Sequence, residues 1–459
     1  MINTIDLIAP FAQAPADEVE PDLTLSVTGC GYLGAVHAAS MAALGHTVIG
    51  IDVDADKIDR LARGRAPFFE PQLNELLRDG TGSGRLRFAT DPAAAEPATV
   101  HFVCVGTPQQ PDGTAADLRQ LDAAIAALLP RLKPGDLVVG KSTVPVGTAQ
   151  RISDRVRAAE PGAILVWNPE FLREGLAVGD TIAPDRLVYG VPDGPAGEAA
   201  VGVLNRVYAK ALANSTPLVI TDYPTAELSK VAANAFLATK ISFINAMAEL
   251  CEVTGGDVVR LAEAIGHDRR IGHRYLGAGL GFGGGCLPKD IRAFQARAEE
   301  LGAGRALAFL REVDSINLRR REQVVELARR GCDGDLSGRK IAILGAAFKP
   351  NSDDVRDSPA LDVADRLTAA GARVVITDPQ AVDNARRSRP GLEYAASVAA
   401  AAAGAELVLL LTEWREYVAL DPAALARMVQ RPVVIDGRNA LDPARWRAAG
   451  WTYHGLGRR

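Results

Sequence analysis

Between Leu23 and Asp52 the chain reads Leu-Thr-Leu-Ser-Val-Thr, Gly29-Cys30-Gly31-Tyr32-Leu33-Gly34, a helix-forming stretch to about Leu44, and Thr-Val-Ile-Gly-Ile-Asp52. A strand, a glycine turn, a helix and a second strand in that order constitute a βαβ unit, which commits the chain to a parallel sheet covered by helices. Gly29 and Gly31 would let the backbone approach a pyrophosphate at a helix N-terminus, and Gly34 would let helix and strand pack closely. Asp52, 18 residues beyond Gly34, can accept from ribose hydroxyls and would repel a 2′-phosphate, so NAD is expected rather than NADP. Incidental glycines in an ordinary βαβ turn are the competing explanation, and the strand, the spacing and the acid together weigh against it.

Further strands are expected at 100–105, 137–140, 163–167, 186–189 and 217–220, each breaking into a polar or Gly/Pro loop. In a parallel open sheet these C-terminal ends share one edge, which would gather Thr107, Thr143, Glu170 and Glu174 over a cofactor. Each of them taken singly is more often a cap or turn former. A second set of strands is expected at 340–344, 373–377, 406–411, 432–435 and at the C-terminus, with no phosphate-loop glycine pattern after the first. Lys349 and Arg356 in the following loop are placed for a second anion. The expected fold class is α/β, with two Rossmann-like doubly wound domains (23–222 and 331–459) joined by a central long-helix domain (223–330). Residues 1–22, rich in Pro, Ala and acids, read as a disordered leader.

From about Thr225 to Thr254 the alternation gives way to one long, mostly apolar helix, with Glu227, Lys230 and Asn234 on one face. Burial on both sides, as in a dimer core, suits it better than a solvated stripe, and a Lys buried there would have a depressed pKa. The stretch Gly279-Leu-Gly281-Phe-Gly283-Gly284-Gly285-Cys286-Leu287-Pro288-Lys289-Asp290 follows. So many glycines would let backbone lie against a ligand, and Lys289 beside Cys286 would favour a thiolate nucleophile. The alternative is a flexible turn next to a cysteine packed as a small hydrophobe.

Composition narrows the partners. With 51 Lys and Arg against 56 Asp and Glu and no long basic block, nucleic acid is not expected as a partner. The Arg-Arg pairs at 319–321 and 386–387 read as solvated helix faces. Five widely spaced cysteines without a CxxC pair suggest neither disulfides nor a metal site, and fit a reducing cytoplasm. No apolar run is expected to span a membrane, and no signal peptide is expected.

Taken together, these residues resemble the nucleotide-sugar dehydrogenases of the UDP-glucose/GDP-mannose dehydrogenase family. The resemblance covers everything from Leu23 onward. Its carriers are Gly-Cys-Gly-Tyr-Leu-Gly, Ser-Thr-Val-Pro-Val-Gly-Thr, Asn-Pro-Glu-Phe-Leu-Arg-Glu-Gly, Glu-Leu-Ser-Lys-Val-Ala-Ala-Asn-Ala-Phe, Gly-Phe-Gly-Gly-Gly-Cys-Leu-Pro-Lys-Asp and Phe-Lys-Pro-Asn-Ser-Asp-Asp-Val-Arg. It implies Cys286 as nucleophile, with Lys230, Asn234 and Asp290 around it and Thr143 and Glu170 managing a hydrolytic water. It implies a sugar-nucleotide site formed by Glu170, Phe171, Leu172, Arg173 and Glu174, by Tyr275, Leu276, Gly277, Ala278, Gly279 and Gly283, and by Lys230, Asn234 and Lys349. Gly29, Gly31, Leu33, Gly34, Asp52, Lys57, Thr107, Thr143, Glu174, Lys289 and Arg356 would line the NAD site. Arg270 would reach the substrate of a neighbouring subunit in a homodimer.

The reaction so implied is a four-electron oxidation of a nucleotide sugar, UDP-glucose to UDP-glucuronate, through a thiohemiacetal and a thioester on Cys286. Gly285 and Leu287 depart from the pattern common among UDP-glucose enzymes and keep GDP-mannose as the second candidate, with UDP-N-acetylmannosamine third. A two-electron β-hydroxyacid dehydrogenase would have no use for Cys286 or the second α/β domain. A non-enzymatic NAD-binding regulator would show a broken catalytic set, and here the set is intact.

Overall fold

The computed structural model describes residues 23–458; the leader expected over residues 1–22 lies outside the described residues. The first sheet contains β1 (Thr24–Thr28), β2 (Thr47–Ile51), β3 (Leu86–Ala89), β4 (Val100–Val103), β5 (Leu137–Gly140), β6 (Ile164–Trp167), β7 (Leu187–Gly190) and β8 (Leu218–Thr221). Their order is β3-β2-β1-β4-β5-β6-β7-β8. Strand β1 lies inside the sheet between β2 and β4, with Leu25 and Val27 in the core and buried Ser26 opposite Ile49 on one side and hydrogen-bonded to His101 on the other.

One expectation fails here. Strand β7 pairs with β6 antiparallel through Trp167 and Gly190, while β7 and β8 are parallel, so the last two strands run against the other six. Their C-terminal ends open on the opposite edge, and only β1 to β6 deliver loops to one edge. Strand β3 also went unread: Leu-Arg-Phe-Ala is short, and it lies at the sheet edge where alternation is weakly imposed.

The second sheet contains β9 (Lys340–Leu344), β10 (Arg373–Thr377), β11 (Glu393–Tyr394), β12 (Leu407–Leu410), β13 (Val433–Asp436) and β14 (Thr452–Gly455), in the order β11-β10-β9-β12-β13-β14, all parallel. Its entry turn repeats the first. Gly29 (φ +91°) donates to Ile51 O at 2.8 Å, and Gly345 (φ +112°) donates to Thr377 O at 2.8 Å. Asp52 accepts from Cys30 N, and Asp378 accepts from Ala346 N and Ala347 N. The copies diverge in what lies beyond, because Trp414 Nε1 donates to Asp378 at 3.1 Å and covers it, whereas Asp52 borders an open cleft.

Between the sheets runs the long helix Tyr223–Thr254, capped by Asp222 at its start and by Gly255 (φ +79°) at its end. Its buried residues, among them Glu227, Lys230, Asn234, Ala238 and Asn245, recur at helical spacing and face the helices Leu287–Glu300 and Phe309–Gly331. By length and apolarity this helix could cross a membrane, with a mean hydropathy of 1.3 over its most apolar window, which corrects the expectation that no run is so long. It is a packed element of this chain on one side, while Phe236, Phe243 and Leu250 stand exposed on the other. Arg320 and Arg321 are likewise not the solvated pair expected. Both are buried, and they bond the glycine loop, Glu252, Asp357 and Asp362.

Candidate active site

A solvent-open cleft of about 2800 Å³ lies at the C-terminal edge of β1, β2, β4 and β5 and reaches across to the cysteine helix. Gly29, Gly31, Leu33, Asp52, Lys57, Thr107, Thr143, Glu174, Lys289 and Arg356 all border it, together with Glu170, Leu172 and Cys286. Ten of the eleven residues expected around a dinucleotide therefore border one cleft. The exception is Gly34, where an added Cβ would stand 1.8 Å from Gly29 O; its role is helix-to-turn packing. Gly29 also serves the fold, since a Cβ there would meet Val105 at 2.7 Å, whereas Gly31 faces space empty within 4 Å. A backbone N-terminus of a helix with no side chain over it is the cradle a pyrophosphate needs, so the residues fit the cofactor. Asp52 is fixed for ribose by Cys30 N, Asp54 N and Lys57 Nζ, the last at 2.9 Å.

Cys286 opens the helix Leu287–Glu300 and is exposed to the cleft, though ringed by protein. Its thiol is pushed up to about 11, by burial first, then by Asp290 and Glu170, against the lowering pull of Lys230 and Lys289. The expected thiolate beside Lys289 is thus corrected, because burial and Asp290 outweigh Lys289, whose ammonium pairs with Asp290 Oδ1 at 2.6 Å. Asp290 is buried and also accepts from Asn234 Nδ2 at 2.7 Å, which orients the carboxylate from two sides.

Lys230 is 5% exposed and pairs with Glu170 at 3.0 Å. Burial lowers its pKa, but Glu170, Cys286 and Asp290 outweigh burial and the net shift is upward. The expected depressed lysine is therefore a fixed cation. Glu170 Oε2 accepts from Leu172 N at 2.5 Å, which holds the head of its loop. Thr143 comes from the loop after β5, where Glu227 accepts from Gly147 N and Ala149 N and Thr107 Oγ1 donates to Thr143 O.

The residues expected around a sugar nucleotide are more scattered. Phe171 is stacked between Arg186, 3.6 Å from its ring centroid, and Lys230 at 5.7 Å. Glu174, raised to about 7 by burial and by Asp354, accepts from Ser352 and faces Arg356 at 3.4 Å. Lys349 sits over Phe348, and burial lowers its pKa. Arg173 is committed to Asp180, and Arg270 is an exposed residue paired with Asp268. Tyr275 has φ +65°, Gly277 faces open space, and Leu276 and Ala278 are buried under the long helix.

Several glycines of the loop also admit a close approach within the chain. A Cβ on Gly279 would meet Gly437 O at 2.6 Å, on Gly283 Asp357 O at 2.2 Å, and on Gly285 the Arg356 guanidinium at 2.3 Å. These glycines admit the second α/β unit, while Gly284 and Gly285 also border the cleft beside Cys286. Residues unread in the sequence clamp the loop: Asn245 accepts from Gly279 N, Asn317 bonds both Phe282 N and Phe282 O, and Arg438 donates to Gly281 O, Phe348 O and Leu411 O. The one available signal was a lone Asn in an apolar helix, such as Asn245 within Phe-Ile-Asn-Ala-Met.

Three family models match consecutive parts of the chain. They are the NAD binding domain (residues 23–212), the central domain (224–319) and the UDP binding domain (342–443) of the UDP-glucose/GDP-mannose dehydrogenase family. The chain is 41% identical over 439 residues to a UDP-glucose 6-dehydrogenase of Rhizobium meliloti, covering 95% of this chain and all of that one. It is 40% identical over 442 residues to the UDP-glucose 6-dehydrogenase YwqF of Bacillus subtilis, covering 95% and 98%. Among solved structures, a UDP-glucose dehydrogenase from the archaeon Pyrobaculum islandicum superposes with a TM-score of 0.86 at 40% identity, covering 95% of this chain and 98% of that one.

Proposed function

The chain belongs to the UDP-glucose/GDP-mannose dehydrogenase family, and from that premise we propose that it oxidises UDP-glucose to UDP-glucuronate in two steps on one cysteine. The observation that carries the reading is Cys286 in the same cleft as the Gly29–Gly34 turn, ringed by Glu170, Lys230 and Asp290. Gly29, Gly31, Leu33, Asp52, Lys57, Thr107, Glu174, Lys289 and Arg356 would hold NAD, which when bound accepts the hydrides.

An alcohol reaches the acid level only if the intermediate aldehyde is turned back into a centre that can lose a second hydride. Addition of the Cys286 thiol to the aldehyde, Sγ to the carbon and the thiol proton to the carbonyl oxygen, supplies it as a thiohemiacetal. Asp290, held by Asn234 and Lys289, takes the hydroxyl proton through a water, and the permanently charged Lys230 stabilises the alkoxide. After the second oxidation Cys286 carries a thioester. Thr143 positions water, Glu170 takes its proton, and Lys230 and Asn234 stabilise the tetrahedral oxyanion. Lys349, from the second α/β unit, and the 170–174 loop bind the nucleotide.

A homodimer is part of the proposal. Phe236, Phe243 and Leu250, exposed by 67%, 50% and 53%, follow at seven-residue steps along the long helix and form an apolar stripe that water covers poorly. All five cysteines are free, which supports a reducing compartment such as the cytoplasm.

The test is the NADH formed per limiting UDP-glucose with NAD in excess. Two per sugar is expected, and Cys286→Ala should bind the nucleotide sugar without forming acid. One per sugar would make the thiol structural and overturn the reading. No reaction with UDP-glucose and turnover of GDP-mannose would move the substrate assignment to the second candidate, which Gly285 and Leu287 keep open.

A further inference from the structure

Glu170 lines two pockets: the cleft with Cys286, and a much smaller rear pocket that His37, Lys141, Asp180, Pro184 and exposed Asp185 also line. Two buried groups that the proposed reaction does not use look into this rear space. His37, 1% exposed, has an Nε2 without a hydrogen-bond partner. Lys141, 6% exposed, donates to Asn168 Oδ1 at 3.0 Å and to Asn168 O and Tyr208 OH at 3.3 Å. Among the described residues no carboxylate lies within ion-pair distance of its ammonium. A buried cation with only neutral partners is costly, so a chain needs a reason to keep one.

We propose that this rear cavity is a proton outlet, in which Lys141 accepts the proton that Glu170 takes from the hydrolytic water and passes it to solvent past Asp185. The proposal rests on the thioester reading. Water adds its hydroxyl to the thioester carbon and gives its proton to Glu170. The carbon–sulfur bond breaks, Sγ leaves with the electron pair and takes the proton of the new carboxylic acid, and one proton remains on Glu170. Product bound in the cleft would close that side of Glu170, which leaves the rear pocket, with exposed Asp185 on its lining, as the other way out.

The charges around Lys141 fit a relay. Burial is the largest influence and lowers its pKa; Cys104 and Glu170 raise it, Lys230 lowers it, and the outcome is about 8. Facing it from the first helix is His37, held neutral by burial and by Lys141 itself, and from the far side Tyr208, whose phenol burial keeps protonated. Lys141 therefore exchanges its proton more readily than an exposed lysine.

The test is rapid-quench measurement of free acid released from the thioester in the intact enzyme, from pH 6.5 to 9.5. The wild-type rate should rise with pH through about 8, because only neutral Lys141 accepts. Lys141→Gln keeps donors for Asn168 and cannot carry the proton. It should lose the rise and be about tenfold slower at the alkaline end, the lower range for a positioned proton transfer. Ethylamine should restore the rate saturably. Asp185→Trp, an exposed change at the mouth, should slow acid release without slowing the first NADH, which keeps the test alive if Lys141→Gln does not fold. A Gln variant with the wild-type pH profile, or one uniformly slow and deaf to ethylamine, would overturn the outlet. One NADH per sugar from the wild type would instead overturn the thioester reading beneath it.

Discussion

Glu70 offers the sharpest test of how the substrate loop is held. It is 5% exposed and lies on the segment between β2 and β3, far in sequence from the residues it serves. Its carboxylate accepts from Gly175 N and Ala177 N, both at 2.7 Å, and from the hydroxyl of Tyr32 in the cofactor turn. Gly175 (φ +80°) in turn abuts Asn351 of the second α/β unit, where a Cβ would stand 2.7 Å from the carbonyl oxygen. Glu70 thus ties together the cofactor turn, the 170–177 loop and the second unit at one point. Truncation to Ala leaves the Ala177 amide and the Tyr32 phenol without their acceptor, while Gly175 N keeps the Tyr32 hydroxyl at 3.1 Å. Each loss costs about 1 kcal/mol at the low end, since water can enter the vacated space, so the loop loses about 2 kcal/mol of ordering. If binding must restore that order, KM for the nucleotide sugar rises about 30-fold while kcat stays within a few-fold. Glu70→Gln, which keeps one acceptor oxygen, should fall between. Initial rates and calorimetric titration of the nucleotide sugar would decide it. An Ala variant whose KM stays within twofold of wild type would refute the claim that Glu70 orders the loop.

Two further outcomes follow from the same contacts. Glu174, raised to about 7, is protonated below that pH and ionised above it, so its attraction to Arg356 develops as pH rises; KM for NAD should fall between pH 6 and 8, and Glu174→Gln should flatten that dependence in steady-state assays. Phe243→Asp, at an exposed site on the long helix, should shift sedimentation from dimer to monomer without unfolding the chain, and an unchanged sedimentation coefficient would place the dimer contact elsewhere.

What the sequence by itself determined was local in origin. The βαβ opening was legible because a glycine turn between β-branched runs has few other solutions, and β9 and β10 were readable to the residue from their apolar runs. The cysteine, the Lys230/Asn234 row and the strand-end loops were legible as motifs because helix and strand periodicities fix which residues share a face. Tertiary structure decided whatever depends on neighbours remote in sequence. It reversed β7 and β8, because strand direction is set by pairing partners and not by strand composition. It made Lys230 a fixed cation, because Glu170, 60 residues earlier, lies 3.0 Å from it and outweighs burial. It packed the glycine loop against Asp357, Phe348 and Gly437, a set of neighbours that the loop's own sequence does not name. It buried Glu70 and Lys141 in their networks. Charge balance and close approach are properties of three-dimensional distance, and a linear sequence carries no measure of it.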